Sequence, residues 1–451
     1  MTERDQYGER LPRNLGLWSS IAVLVGSTIG SGIFRVPATV ATQLHDPGPV
    51  LIAWVLGGLI ALFGALTFAE LGAMLPRSGG VFAYILEAFG PLPAFLFGWT
   101  ELAVIRASAL GAIATLFAEY LGSRYFMNLS PQQVHYFAAG AIVLVGLFNY
   151  IGVNYAKVVM NLITVAKYGA LALFALLAFA VGQGSAGNFT PAFAGGFSLS
   201  LLATALIPIM WTYDGWGDLS FMGGEVRNPQ KTLPLALIIG TGMIVLVYLL
   251  LNVAYMYLVP LAEMGHSPLI TTTAAEHIPM LGARGAAVIA AIIMVSAFGA
   301  LNGSMMTGPR IFFAMADRGL FFQGIARVSP RFKSPSVAIW LATVLGVLYV
   351  LFNNFAQLAD RFILGIWPFY ALAVAAVFIF RRKRPDVERP YRTWGYPVVP
   401  LLFLVASVAM VVNALVTDPK NTGVTLGIIV VGIPVYYAWK AWGGKAGQRV
   451  G

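Results

Sequence analysis

The sequence predicts an all-α, polytopic membrane protein of twelve spans, and three observations carry that prediction. Apolar residues fill 59% of the 451 positions and charged residues only 10%, against about half and about a quarter in soluble globular chains. Mainly apolar stretches of about 18 residues or more recur along the chain, each long enough to cross roughly 30 Å of hydrocarbon as a helix. Basic residues, finally, crowd into alternate connections between those stretches.

Taken in order, the spans fall near 17–43, 50–75, 91–119, 134–151, 157–182, 199–225, 235–259, 286–316, 336–353, 362–380, 397–416 and 424–441. They are called spans 1 to 12 below. The chain then divides into an N-terminal tail (1–14), a core of ten spans (15–380), a basic connection (381–396), two further spans (397–441) and a C-terminal tail (442–451). The longest polar connections, 260–284 and 317–335, leave no room for a soluble domain. The first of them carries Ser267-Pro268, Thr271 to Thr273 and Ile278-Pro279, which suits either short helices capping one face or an ordinary structured loop. The first fourteen residues are charged and no small-residue cleavage site follows, so span 1 is expected to be retained as the membrane-entry signal.

The net charge of +10 is topological and does not point to nucleic acid. With the N-terminus inside, the outer connections hold only Arg124, Arg284, Arg361 and Lys420, against about five times as many Lys and Arg in the inner ones. Both termini are therefore expected in the cytoplasm, with the chain in the cytoplasmic (inner) membrane. The cluster from Arg381 to Arg392 reads as a stop-transfer signal or a contact with anionic lipid.

Catalysis has no visible apparatus. There is no cysteine, hence no thiol or disulfide chemistry. His45, His135, His266 and His277 are scattered without the spacing of a metal site. No phosphate-binding glycine loop supports an ATP-driven pump. No catalytic residue, metal or cofactor is expected.

Two spans are broken near their middles. In span 1 the run Gly26-Ser27-Thr28-Ile29-Gly30-Ser31-Gly32 places three glycines within seven residues, and each costs about 1 kcal/mol against alanine in a helix interior. In span 6 the run Trp211-Thr212-Tyr213-Asp214-Gly215-Trp216-Gly217-Asp218 is equally unsuited to a regular lipid-facing helix. Peptide groups freed at that depth must line a protected cavity, because hydrocarbon offers them no partner. Helix ends there present N–H groups to a carboxylate and carbonyls to an ammonium, so the pair of breaks suits a zwitterion. Breaks at matching positions of two five-span halves point to an inverted-repeat transporter.

The motifs themselves carry a resemblance. GSTIGSGIF at 26–34, PRSGG at 76–80, WTYDGW at 211–216, EVRNPQKTLP at 225–234, SAFGALNGSMMTGPRIFFAMADRG at 296–319 and RPYRTWGYP at 389–397 resemble the amino acid-polyamine-organocation superfamily. The chain looks like its bacterial members related to the L-type amino acid transporters. The resemblance implies a LeuT-type fold, with spans 1–5 and 6–10 as inverted repeats and two helices appended. It implies that a substrate carboxylate meets N–H groups at Ser31 and Gly32, with Ile29 and Gly30 beside them. The ammonium would then meet carbonyls of Thr28, Trp211, Thr212 and Asp214. Trp211 would be a gate over the substrate. Lys167, deep in span 5, would stand in for the ion of sodium-coupled relatives or take part in proton coupling, the alternative being a structural contact near Gly26 and Ser296.

Other ionisable residues are read from position. Glu101 and Arg106 are expected to form an internal ion pair, and Glu70 and Glu225 to pair or cap near inner ends. Asp214, where relatives carry a small residue, either contacts substrate or caps the second half of span 6. The roles of Asp218 and of Arg35, placed to line an outer vestibule, stay open. The function implied is secondary transport of amino acids, by sodium-independent exchange or proton-linked uptake, with the lipid bilayer and a small-molecule substrate as partners. Polyamine transport and amino acid sensing remain the alternatives, and oligomeric state is not legible.

Overall fold

The computed structural model describes residues 13, 15–76, 79–151, 156–195, 197–317, 319–327, 329, 331–332 and 334–443. Each of the twelve expected spans coincides with helix. Eight of the described helices are long and apolar enough to cross a membrane, among them Pro47–Met74, Pro91–Leu121 and Phe355–Lys383. A further span is broken: Leu17–Thr28 and Gly32–Gln43 meet at 43°. Span 6 is Leu199–Tyr213 followed, after an irregular turn, by the short helix Asp218–Phe221. Spans 5 (Ala156–Val181) and 9 (Ser336–Phe352) complete the set.

Burial sorts the spans into a centre and a ring. Span 3 buries 83% of its apolar window and span 12 only 22%, so the first is a central post and the second faces lipid. Spans 1 and 6 pack on each other, span 1 also on span 7 and span 6 on span 2, while span 8 packs along span 3 and span 10 against both span 3 and span 6. Span 7 lies along spans 1 and 2.

Two connections hold structure. The segment after Pro76, read from sequence only as a connection, contains the ten-residue helix Gly80–Phe89. Glycines at positive φ bracket it: Gly79 (116°), Gly80 (43°) and Gly90 (89°). They end the helix before it reaches spanning length, and it packs on spans 3 and 10. On the other face, Leu261–Gly265 and Ile270–Glu276 are short helices, the first of the two readings given above.

The basic connection 381–396 is anchored by a buried carboxylate. Glu70 on span 2 accepts two hydrogen bonds from Arg381, at 2.9 and 2.7 Å, and one from the Thr393 N–H at 2.7 Å. Arg381 also stacks over Tyr396 at 3.7 Å, and Arg389 lies 3.6 Å from the same carboxylate. Glu70→Gln leaves these guanidinium groups without their counter-charge, a change worth about 3 kcal/mol when the pair is buried. The expected result is a lower melting temperature of the detergent-purified protein, read by intrinsic fluorescence. An unchanged melting curve would remove Glu70 as the anchor.

Candidate functional site

The two breaks meet. In span 1 the first half ends at Thr28, and Ile29 (φ −78°, ψ 77°) leaves helical geometry. The Gly30 N–H turns back to the Thr28 carbonyl at 2.8 Å. The second half begins at Gly32, and no side chain caps it. Its first-turn N–H groups have no carbonyl before them in the helix. In span 6 the helix ends at Tyr213, Asp214 is extended (ψ 159°), and Gly215 turns the chain at φ 110°.

Glycine at each break makes room for threonine at the other. A Cβ on Gly32 would stand 2.5 Å from Thr212 Cα, and one on Gly215 would stand 2.8 Å from the Thr28 Cα and N. These distances are far inside ordinary contact, so the backbones of spans 1 and 6 touch reciprocally at both places. Gly215 is needed twice, for its left-handed φ and for the approach to Thr28. Gly30 differs, since its Cβ would meet Ala300 at an ordinary 3.5 Å.

Between the breaks lies a cavity of about 180 Å³. Thr28, Gly30, Ser31, Gly32, Trp211, Asp214, Gly215 and Asp218 line it. Ile29 is buried beside it, and Thr212 packs on Gly32 behind it. The Thr28 carbonyl accepts both the Gly30 N–H at 2.8 Å and the Tyr248 hydroxyl at 3.1 Å, so both of its lone pairs are engaged.

The cavity is closed at one end. Trp211 is buried, its indole N–H donates to Ser31 Oγ at 3.1 Å, and its ring meets Phe362 edge-on at 4.9 Å and Phe355 at 6.2 Å. Beyond it Arg35 pairs with Glu119 at 3.1 Å while its guanidinium covers Phe355 at 5.4 Å. The Arg35 pair thus lies over the aromatic layer. Away from this layer, the lining reaches toward the Leu17 end through Ala22 and Val23 on span 1, Asp218 and Met222 on span 6 and Thr307 on span 8.

Glu101 and Arg106 form the expected ion pair and also line the cavity. Residues five apart point to different faces of an α-helix. Here the segment Glu101–Arg106 is a π-helix, whose i→i+5 repeat brings them together. Arg106 reaches on to Ser304 Oγ at 2.8 Å. Gly308 makes room for it, since a Cβ there would stand 2.1 Å from Arg106 Nε. The five-residue spacing of the pair was the signal for the π-helix.

The two aspartates differ. Asp214 accepts from the Tyr370 hydroxyl at 3.1 Å; it does not cap the second half of span 6, which starts from Gly217 with no side-chain cap. The Asp218 N–H donates to the Gly215 carbonyl at 3.1 Å, but its carboxylate has no hydrogen-bond or ion-pair partner among the described residues. Lys167 sits within the helix Ala156–Val181, but its side chain lies outside the described ones. Sequence reading missed the contribution of span 8, whose Gly299, Ala300 and Gly303 form one wall; the small residues of SAFGALNGSM were the available sign.

A multi-pass membrane protein with two reciprocally broken helices around a central polar cavity is a transporter of the LeuT-type architecture. The "Amino acid permease" family model matches residues 15–438, and the chain belongs to that family, within the superfamily that its motifs resemble. It is 32% identical over 414 residues to the human b(0,+)-type amino acid transporter 1, covering 91% of this chain and 84% of that protein. It is 32% identical over 435 residues to the Serine/threonine exchanger SteT of Bacillus subtilis (strain 168), covering 95% and 97%. With the human Cystine/glutamate transporter it shares 31% over 440 residues, covering 97% and 87%.

The junction of the breaks is open to a direct check. Gly215→Ala forces an L side chain into left-handed backbone, a strain of about 1–2 kcal/mol, and drives a methyl into Thr28. Expected is loss of ligand-induced thermal stabilisation in the purified variant, with Gly30→Ala folding normally beside it. A Gly215→Ala protein that keeps full stabilisation would refute the close approach.

Proposed function

We propose that this chain is a secondary transporter that exchanges amino acids across the cytoplasmic membrane by alternating access, without sodium. The observation that carries the proposal is the reciprocal contact of the two breaks around a polar cavity. In this reading the N–H groups at Ser31 and Gly32, with Ile29 and Gly30 beside them, hold the substrate carboxylate. The carbonyls of Thr28, Trp211, Thr212 and Asp214 receive its ammonium. Trp211 is the outer gate, and Lys167 supplies from span 5 the fixed positive charge that a sodium ion provides elsewhere. The termini are cytoplasmic, so the Leu17 end of the cavity faces inward. No step in this cycle is catalytic and none needs a cofactor.

The relatives named above carry serine and threonine in one case and cystine and glutamate in another. Exchange is thus supported as a mode, while the side chain carried is set by the cavity walls. One observation favours a second reading. Arg106 is engaged by Glu101 and Ser304, which leaves Asp214 and Asp218 as surplus negative charge. A cationic amino acid or a polyamine would answer that surplus.

Uptake into proteoliposomes tests both readings. Preloaded unlabelled amino acid is expected to accelerate entry of the same labelled amino acid several-fold, with no change when sodium is replaced. Gly30→Leu, which fills the cavity, is expected to abolish entry. Competition by putrescine and not by alanine would favour the polyamine reading, and stabilisation without flux would favour a sensor. Acceleration by an inward proton gradient in place of internal substrate would replace exchange with proton-linked uptake.

The cysteine-free sequence permits an accessibility test of the conformation. A single Ser31→Cys variant is expected to react with a membrane-impermeant maleimide applied from the cytoplasmic side of oriented vesicles. Adding Trp211→Ala is expected to admit reagent from the outside as well. Outer labelling equal with and without Trp211 would show that the indole is no gate.

A further inference from the structure

A second cavity, of about 210 Å³, lies apart from the central one. It sits at the Gln43 end of span 1, behind the first half of span 6, against the start of span 10 and the junction of spans 11 and 12. Nothing in the transport reading uses it.

Its wall is rich in acceptors without donors. Asp360 has no hydrogen-bond or ion-pair partner among the described residues. Gln43 Oε1 is buried and unpartnered. Pro208 and Pro368 stand inside helices, and a proline has no N–H for the carbonyl four residues earlier. Those carbonyls belong to Thr204 and Leu364, and both residues line this cavity. Against these acceptors stands Arg361, whose Nε is buried and unpartnered and whose guanidinium covers Tyr349 at 6.0 Å. Buried polar atoms are partnered in the great majority of cases, so orphans gathered around one void mark a place prepared for a ligand.

The orphans also specify its chemistry. An excess of acceptors calls for a donor-rich cation such as an ammonium. A divalent metal fits poorly, because no three His, Cys, Asp or Glu side chains cluster among the described residues. A bare monovalent cation would leave Arg361 unanswered. A molecule with an ammonium and a carboxylate answers both sides.

We propose that this outer cavity is a second amino acid site, with the ligand's ammonium held by Asp360 and Gln43 Oε1 and its carboxylate by Arg361 Nε. The site faces the outside if the termini are cytoplasmic, and to that extent it rests on the function proposed above. Its walls include the halves of spans 1 and 6 that carry Gly32 and Trp211 at their inner ends. A ligand lodged there braces those half-helices against spans 10 to 12 and holds the outer gate shut.

Equilibrium dialysis of the detergent-purified full chain with radiolabelled L-serine, L-leucine and L-arginine tests the proposal. Two molecules per chain are expected for at least one of the three. Asp360→Asn and Gln43→Leu are each expected to weaken one of the two by about tenfold or more, equivalent to about 1.4 kcal/mol, and to leave the other unchanged. Asp360→Asn removes a charge that has no partner, so its melting temperature should not fall. A single bound molecule that both variants keep, or two molecules indifferent to both variants, overturns the outer site and leaves the central one standing. A single molecule lost in Asp360→Asn and kept in Gly30→Leu does the reverse. Failure of all three amino acids to bind overturns both.

Discussion

Peptide groups released from a helix in the middle of a bilayer must find partners inside the protein, and the structure is arranged around that need. Hydrocarbon accepts no hydrogen bond, so each unsatisfied group there costs several kcal/mol. Spans 1 and 6 release theirs at the same depth and against each other, with Gly32 on Thr212 and Gly215 on Thr28. The reciprocity fits the inverted repeat: each half of the core contributes one break, one glycine and one threonine. A side chain at either glycine would part the two spans and expose the groups to lipid. The cavity is what remains between helices held so close by backbone contact.

Much of this was legible in the chain. Glycine clusters at 26–32 and 215–217 within apolar runs marked the breaks, and hydropathy marked the spans, because composition alone decides which segments lipid accepts. Glu70 in span 2 was read as pairing with arginine or capping, and it pairs with Arg381, far away in sequence. What was not legible depended on packing between distant segments. Asp214 was read either as a substrate contact or as a cap for the half-helix after it; Tyr370 from span 10 takes its carboxylate, and it caps nothing. The helix Gly80–Phe89 was read as connection because it is too short to span, and its bracketing glycines act through φ values that only the folded chain reveals. Span 8's small residues gave no hint of which neighbour they would face.

Closure at the Trp211 end of the cavity is layered, with different forces in each layer. Trp211, Phe355 and Phe362 exclude water by area and edge-to-face geometry. The pair Arg35–Glu119 lies above them, each side chain about a fifth exposed, where screening keeps an ion pair weak. The aromatic layer seals, and because Arg35 also covers Phe355 the two layers are in direct contact.

The π-helix in span 3 follows from the same division between parts that move and parts that hold. A π segment has poorer hydrogen-bond geometry than the α-helix on either side of it and recurs at functional sites. What it gains here is the alignment of Glu101 with Arg106, which an unbroken α-helix would turn to different faces. Arg106 then extends to Ser304 across the cavity floor, and Gly308 provides the space it occupies. The result is a charged tie between spans 3 and 8, on the side of the cavity opposite the touching breaks. If spans 1 and 6 rock to open one end and then the other, their motion needs a fixed wall to work against. A buried arginine bound at both ends supplies such a wall, since freeing it would strand a charge inside the membrane. The ion pair thus belongs to the frame of the site, and of the two aspartates lining the cavity Asp214 is held by Tyr370 while the Asp218 carboxylate has no partner among the described residues.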